Sequence, residues 1–137
     1  MMDNGHWTYH TQLTPSLHFG FVYQITCTMT GRSYIGKKQY HSYRKGRVVQ
    51  EMDWRNYTGS SKGLNTDIKK LGKSKFTFTV LKEYKTRGWL SYGECNTQHK
   101  LDTLTKRLPD GSRAFYNRQI LAIKFVPSIK QHPELCK

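Results

Sequence analysis

The chain has 137 residues, room for one compact domain with one core. Its 23 Lys and Arg outnumber 9 Asp and Glu, and the resulting formal charge of +14 is spread along the sequence, a field that attracts polyanions, nucleic acid first and an anionic membrane surface second. Cys27, Cys95 and Cys136 are far apart with no C-x-x-C pair, which argues against a disulfide framework or structural zinc. With a polar N-terminus and no apolar run near the ~20 residues of a membrane helix, a soluble cytoplasmic protein with no membrane partner is predicted.

Residues 1–18 form a polar and aromatic N-terminal arm. From 19 to 27, Phe19, Phe21, Tyr23, Ile25 and Cys27 alternate with Gly20, Val22, Gln24 and Thr26, the period of two of a strand with one face on a core. Thr28-Met29-Thr30-Gly31 reads as a turn, and residues 32–36 as the returning strand of a hairpin that puts Tyr23 and Tyr34 on neighbouring strands. Residues 38–45 lack strand alternation and are expected to open a helix; residues 48–59 look irregular. A helix over 62–71 follows from Leu64, Ile68 and Leu71 at i, i+4, i+7, with Ser60 or Ser61 as N-cap and Gly72 at the C-terminal stop.

Phe76, Phe78 and Val80 alternate with polar residues in a third strand ending near Tyr84. Leu90, Glu94, Leu101 and Leu104 share one side of a helix predicted over 89–106. Pro109-Asp110-Gly111 marks a turn, residues 119–126 are an apolar run of undecided type, and residues 127–137 form a C-terminal tail. A single domain over 19–126 is thereby bounded.

Among these elements lie the parts needed to hydrolyse a phosphodiester. Such a reaction needs a deprotonated water, neutralisation of charge on the phosphoryl group and help for the departing oxygen. Glu94 is the candidate ligand for one Mg²⁺, a cation that often takes only one or two protein carboxylates and keeps several waters. Arg44 offers a planar fork for a non-bridging oxygen. Tyr23 and Tyr34 can position or activate the water if a metal or Lys37 lowers a phenol from its usual pKa of ~10. Each has a plainer alternative: an exposed helical glutamate, one arginine among many basic residues, strand tyrosines that only pack. Lys37 and Lys38 suit the scissile phosphate or ordinary DNA backbone contacts, as does Arg47. Trp54 and the loop at Ser60 and Ser61 suit a DNA groove, with packing on the sheet the competing role of Trp54. His6, His10, His18, His99 and His132 show no metal-ligand spacing.

Phe21-Val22-Tyr23, then Gly31-Arg32-Ser33-Tyr34-Ile35-Gly36 and Arg44, resemble the GIY-YIG nuclease superfamily, with Phe21 in place of its glycine and Val22 in place of its isoleucine. Asp53 to Ser61, then Leu64, Ile68 to Gly72 and Phe76 to Leu81, look like its phage freestanding homing endonucleases. The resemblance implies an α+β fold, a three-stranded antiparallel sheet flanked by helices. It further implies Tyr23 as general base or proton relay, Tyr34 as orienter of water and phosphate, Arg44 as the transition-state arginine and Glu94 as the metal ligand. Asn117 matches an asparagine that steadies the site. Many relatives carry His or Tyr one turn after the arginine, where this chain has Val48, so His41 or Tyr43 stands in as a candidate. The implied activity is Mg²⁺-dependent cleavage of double-stranded DNA, with Mn²⁺ as a substitute metal. Double-strand cutting then requires a homodimer or two successive nicks. The competing readings are a non-catalytic nucleic-acid-binding module that retains the fold, and a basic ribosome-associated protein without it.

Overall fold

The computed structural model describes residues 3–125; the predicted C-terminal tail and Cys136 lie outside them. The elements in chain order are β1 (Gly20–Cys27), β2 (Ser33–Gln39), β3 (His41–Arg44), β4 (Arg47–Glu51), α1 (Lys62–Leu71), β5 (Phe76–Tyr84) and α2 (Arg87–Lys100), with a 3₁₀ turn at Lys73–Lys75 before β5. β1 is central in an antiparallel sheet of order β2-β1-β5, and β3 pairs with β4 in a separate ribbon. The α+β architecture expected from sequence is the one observed.

The alternation of β1 sorts its side chains onto two cores. Phe21, Tyr23, Ile25 and Cys27 pack with Phe76, Phe78 and Val80 of β5 against Trp54 and against Leu64 of α1. Val22 points to the opposite face and meets Ile35 of β2 and Leu90 of α2. Both faces are therefore covered near the middle of the strand. Residues 3–18 lie against β5: Thr8 bridges Thr79, the Thr8 N–H donates to Phe78 O at 2.8 Å, and Trp7 and Leu13 are buried with the first core. Glu83, a buried carboxylate at the far end of β5, accepts from the Thr14 N–H (2.9 Å) and the Tyr40 hydroxyl (2.7 Å), fastening that segment and the end of β2 to the sheet.

The hairpin turn closes at Gly31, whose φ of +83° is readily available to glycine. α1 has the predicted bounds: the Ser61 hydroxyl accepts from Leu64 N–H, and Gly72 at φ +95° donates back to Ile68 O. Three expectations are corrected. Residues 38–45 are not helical, because β2 stays paired to β1 as far as Gln39 and buries Tyr40, after which His41–Arg44 returns against Arg47–Glu51. The turn between them, Lys45-Gly46, has positive φ at both residues (53° and 78°), as a two-residue type I′ hairpin requires. Part of the irregular stretch is thus β4. The second helix ends at Lys100, because Asp102 adopts φ +57° and the following amides turn back to Gln98 and Asp102 carbonyls; Leu104, counted on the apolar side, is 39% exposed. Residues 119–125 have no helix or strand, though Phe125 packs edge-on to Trp89.

His6 stacks on Phe78 (centroids 3.9 Å) and its Nε2–H donates to Tyr57 O at 2.9 Å, while Nδ1 is buried without a partner. Burial, with the nearby Lys73 charge, lowers its pKa from 6.5 to about 4. A second proton on this ring would have no acceptor. The unfolded chain therefore binds that proton first, and the stability contributed by neutral His6 is complete above pH 6.5 and drains away as the pH falls toward about 4. Urea midpoints measured across that window should fall in the native protein and fall less in His6→Gln, which keeps a donor for Tyr57 but cannot titrate; equal slopes would remove His6 from the acid response.

Candidate active site

The register of the β1–β2 hairpin builds the site. Tyr23 lies opposite Gly36 and Ile25 opposite Tyr34, so the Tyr23 and Tyr34 rings lean together on one face with centroids 6.2 Å apart. The Tyr23 ring passes directly over Gly36: a Cβ there would sit 2.4 Å from the phenol oxygen and 2.8 Å from the Tyr34 ring. Gly59, at φ +81°, leaves room on the other side, where a Cβ would lie 3.1 Å from the same oxygen. The Tyr57 ring stands edge-on to Tyr23 at 6.2 Å.

Around this point opens a cleft of about 730 Å³. Tyr23, Tyr34 and Tyr57 enter it from one face of the sheet, and Lys37 and Glu94 from the other. It therefore wraps the open edge of β2 at the residue that has no side chain to block it. Ser60 and Ser61 line the wall at the start of α1, and the Tyr34 hydroxyl is 3.3 Å from Ser60 Oγ.

Asn117 is bonded to the edge of β2. The segment before it runs beside β2, with Ser33 N–H donating to Ala114 O (2.9 Å) and Tyr116 N–H to Ser33 O (2.7 Å). Asn117 then continues the ladder with its side chain: its Oδ1 accepts from Ile35 N–H at 3.0 Å and its Nδ2 donates to Ile35 O at 2.8 Å. A primary amide has the same donor and acceptor pair as a peptide, so it closes the exposed edge of β2 where backbone pairing stops. Gln98, one helical turn beyond Glu94, donates to the same carbonyl at 3.1 Å. Tyr116, also in the cleft wall, donates to Asp67 Oδ2 at 2.6 Å and thereby couples this segment to α1.

The electrostatics of the cleft separate its groups. Tyr23 is 1% exposed; burial, then the neighbouring Tyr34, Tyr57 and Glu94 charges, hold its phenol pKa well above the ordinary value. Tyr57 is pushed up for the same first reason. Burial also raises the carboxyl of Glu94, partly offset by the Lys37 ammonium, which donates to Ser91 Oγ at 2.7 Å. Among the described residues no group of three or more His, Cys, Asp and Glu could hold a metal. A cation in this cleft would rest on Glu94 alone among carboxylates, with water completing its shell; that suits a hard, oxygen-seeking divalent ion.

Of the residues singled out in the sequence, Tyr23, Tyr34, Lys37, Ser60, Ser61, Glu94 and Asn117 meet at the cleft. Arg44 does not: it is exposed at the end of β3 beside the turn of the β3–β4 ribbon, because that segment is a strand of a hairpin and not the expected helix. Arg47 is beside it and equally exposed. Tyr43 stacks on Phe19 at 5.2 Å at the ribbon's base. Lys38 lies over the Tyr57 ring at 4.4 Å and lines a second, smaller groove, where burial lowers its pKa. Trp54 is fully buried, so it packs the core and cannot line a DNA groove. Sequence reasoning missed Gln98, Tyr116 and Arg118 as wall residues; only Gln98 carried a signal, its spacing of four from Glu94 on one helix.

A family model described as "Putative endonuclease segE, GIY-YIG domain" matches residues 7–120. The chain belongs to this GIY-YIG family. The phage protein for which the family is named, from Enterobacteria phage T4, is 37% identical over 68 residues, which cover 50% of this chain and 28% of that protein. The chain thus matches about a quarter of the length of its relative. No solved structure matches it. Membership supports a nuclease function.

Asn117→Asp preserves shape but replaces the Nδ2 donor with an oxygen facing Ile35 O. A loss of about 1–3 kcal/mol is expected at neutral pH, the cost of an unsatisfied buried polar pair. Part of it should return under mild acid, when the carboxyl can donate. A urea midpoint equal to the native one would show that this amide does not hold the edge of β2.

Proposed function

We propose that this GIY-YIG domain is a Mg²⁺-dependent endonuclease that hydrolyses phosphodiester bonds of double-stranded DNA in the cleft at Gly36, with Mn²⁺ able to replace Mg²⁺. The observation that carries the reading is the meeting of Glu94, Lys37 and two tyrosine hydroxyls at one opening in a chain of charge +14. Water adds to phosphorus, the bond to one ester oxygen breaks, and the two ends leave as a phosphate and a hydroxyl.

The side chains divide this work. Glu94 is the residue that would hold the metal, and a raised carboxyl pKa is the cost that a nearby cation removes. When bound, such an ion neutralises phosphoryl charge and stabilises the departing oxygen. Lys37 and Arg118, both in the cleft wall, attract non-bridging oxygens. This gives Lys37 the phosphate contact that the resemblance implied for Arg44. Tyr34, held near Ser60, orients the attacking water. Tyr23 acts as a neutral hydroxyl at the cleft floor, since its surroundings oppose the phenolate a general base would need. The cleft serves one strand at a time, so a double-strand break takes two chains or two nicks.

Supercoiled plasmid incubated with the protein should be nicked with Mg²⁺, left intact with EDTA, and left intact by Glu94→Gln at any Mg²⁺ concentration. Cleavage that survives EDTA and Glu94→Gln would reject the site. Plasmid that is retarded but never cut would establish a binding module instead.

Catalysis by ionised Glu94 also fixes a pH response. At sub-saturating Mg²⁺ the acidic limb of the rate profile should lie above the ordinary carboxyl pKa of 4.5, because burial raises this group before the cation binds, and the limb should move to lower pH as Mg²⁺ is raised. Lys37→Met removes the charge that favours the carboxylate, so the limb should move to still higher pH as well as the maximum falling. A lower maximum with an unmoved limb would disconnect Lys37 from Glu94.

A further inference from the structure

The β3–β4 ribbon takes no part in the cleft, yet its construction is specific. Every residue of β4 is exposed, on both faces, including Val48 (58%) and Val49 (59%). The tip reads Arg44-Lys45-Gly46-Arg47, and no acidic side chain pairs with its three cations among the described residues. A Cβ on Gly46 would meet nothing within 4 Å, so the tip stands clear of the domain. Lys45 sits at φ +53°, where glycine, asparagine or aspartate is usual, so a cation occupies the turn against backbone preference. The base, by contrast, is anchored: Tyr40 is buried with its hydroxyl on Glu83, Met52 N–H donates to Tyr40 O at 2.8 Å, and Tyr43 stacks on Phe19.

A second groove of about 250 Å³ joins ribbon and cleft. It shares Lys37 and Tyr57 with the cleft, passes Lys38 and Arg87, and reaches Gln39 and Met52 at the base of the ribbon. No carboxylate lines it. The result is a basic track from the cleft to a projecting two-stranded arm. Apolar β-branched residues exposed on both faces of such an arm call for a partner that covers both faces at once. A DNA groove does so with its two walls, and the ~12 Å major groove admits a two-stranded ribbon.

We propose that the β3–β4 ribbon is a DNA-gripping arm that enters a groove of the duplex beside the scissile position, with Arg44, Lys45 and Arg47 on phosphates or base edges and Val48 and Val49 against the groove walls. The inference rests on the cleft being a DNA site. It makes Arg44 a determinant of binding and target position, separate from bond cleavage.

The test compares the native protein with Arg44→Gln/Lys45→Asn/Arg47→Gln, in which asparagine keeps the positive-φ turn, on a fluorescein-labelled mixed-sequence duplex of roughly 30 base pairs, about three helical turns. Anisotropy in Ca²⁺ should show affinity reduced roughly tenfold or more, with the slope of log K against log salt smaller by about 2–3, the release expected for three phosphate contacts. The single-turnover rate at saturating duplex in Mg²⁺ should stay within about twofold of native, because the cleft is untouched. A hydroxyl-radical footprint of the native complex should extend to one side of the cut, and that extension should vanish in the variant. Unchanged affinity and footprint would overturn the arm, as would a collapsed saturated rate with unchanged affinity, which would put Arg44 at the scissile phosphate. Substitutions that weaken binding to phosphatidylserine vesicles but not to duplex would assign the ribbon to a membrane surface. Failure of the native protein to cut any DNA, with the affinity loss intact, would reject the nuclease reading and leave the arm standing.

Discussion

The site depends on one cross-strand relation, Tyr23 opposite Gly36. Strand side chains alternate, so residues facing each other on an antiparallel pair share a face and compete for the same space. A phenol ring fills that space here, and the absence of a Cβ on Gly36 lets it lie flat across the neighbouring strand. Its hydroxyl thereby reaches an opening at the edge of the sheet instead of ending within the core. A register slip of one residue would turn Tyr23 to the α2 side and Val22 to the aromatic core. The two cores fix the register by their composition: one face of β1 carries four large or soft apolar residues, while the other has Val22 and then Gln24 and Thr26, which hydrogen-bond with Ser33.

An open strand edge is a liability that the chain turns to use. β2 ends the sheet, and its outward backbone groups must be satisfied or hydrated. The segment at Ala114 to Tyr116 covers part of this edge, and the Asn117 amide covers one residue more. Pairing stops there, so the cleft begins at the next residue. The same side chains thus cover the edge and define where the cleft opens on it. Tyr116, bonded to Asp67, links this covering segment to the helix whose first turn forms the opposite wall.

Burial then sets the chemistry of each group. Tyr23 and Glu94 share one cleft and both are disfavoured as anions, but the consequences differ. A phenol held neutral still donates and accepts hydrogen bonds, whereas a carboxyl held up is ready to gain from a cation and from the Lys37 ammonium. Glu94 is the one carboxylate among the described residues that line the cleft, so no second acid competes there for the Lys37 ammonium.

Much of this was legible from the residues. Strong local rules located the sheet strands and α1: unbroken alternation in β1 and β5, a serine N-cap, a glycine stop. Glu94 was found as an isolated carboxylate on a predicted helix and Asn117 through a motif resemblance, and their spacing in sequence said nothing of distance in space. Local rules failed where tertiary pairing overrode them. The stretch 38–45 has no alternation of its own because Tyr40 is drawn into the core and the two strands after it lie outside the main sheet, β3 half-buried and β4 exposed along its whole length. That single misreading displaced Arg44 from its expected place. The sequence by itself determined the family, the central hairpin, the charge and the chemical groups available, since these follow from side-chain order and short-range geometry. Only the tertiary structure decided that Lys37 and not Arg44 stands beside Glu94, that Trp54 belongs to the core, and that Asn117 acts on a backbone edge. Each of those depends on residues far apart in the chain meeting across a sheet whose register no local window contains.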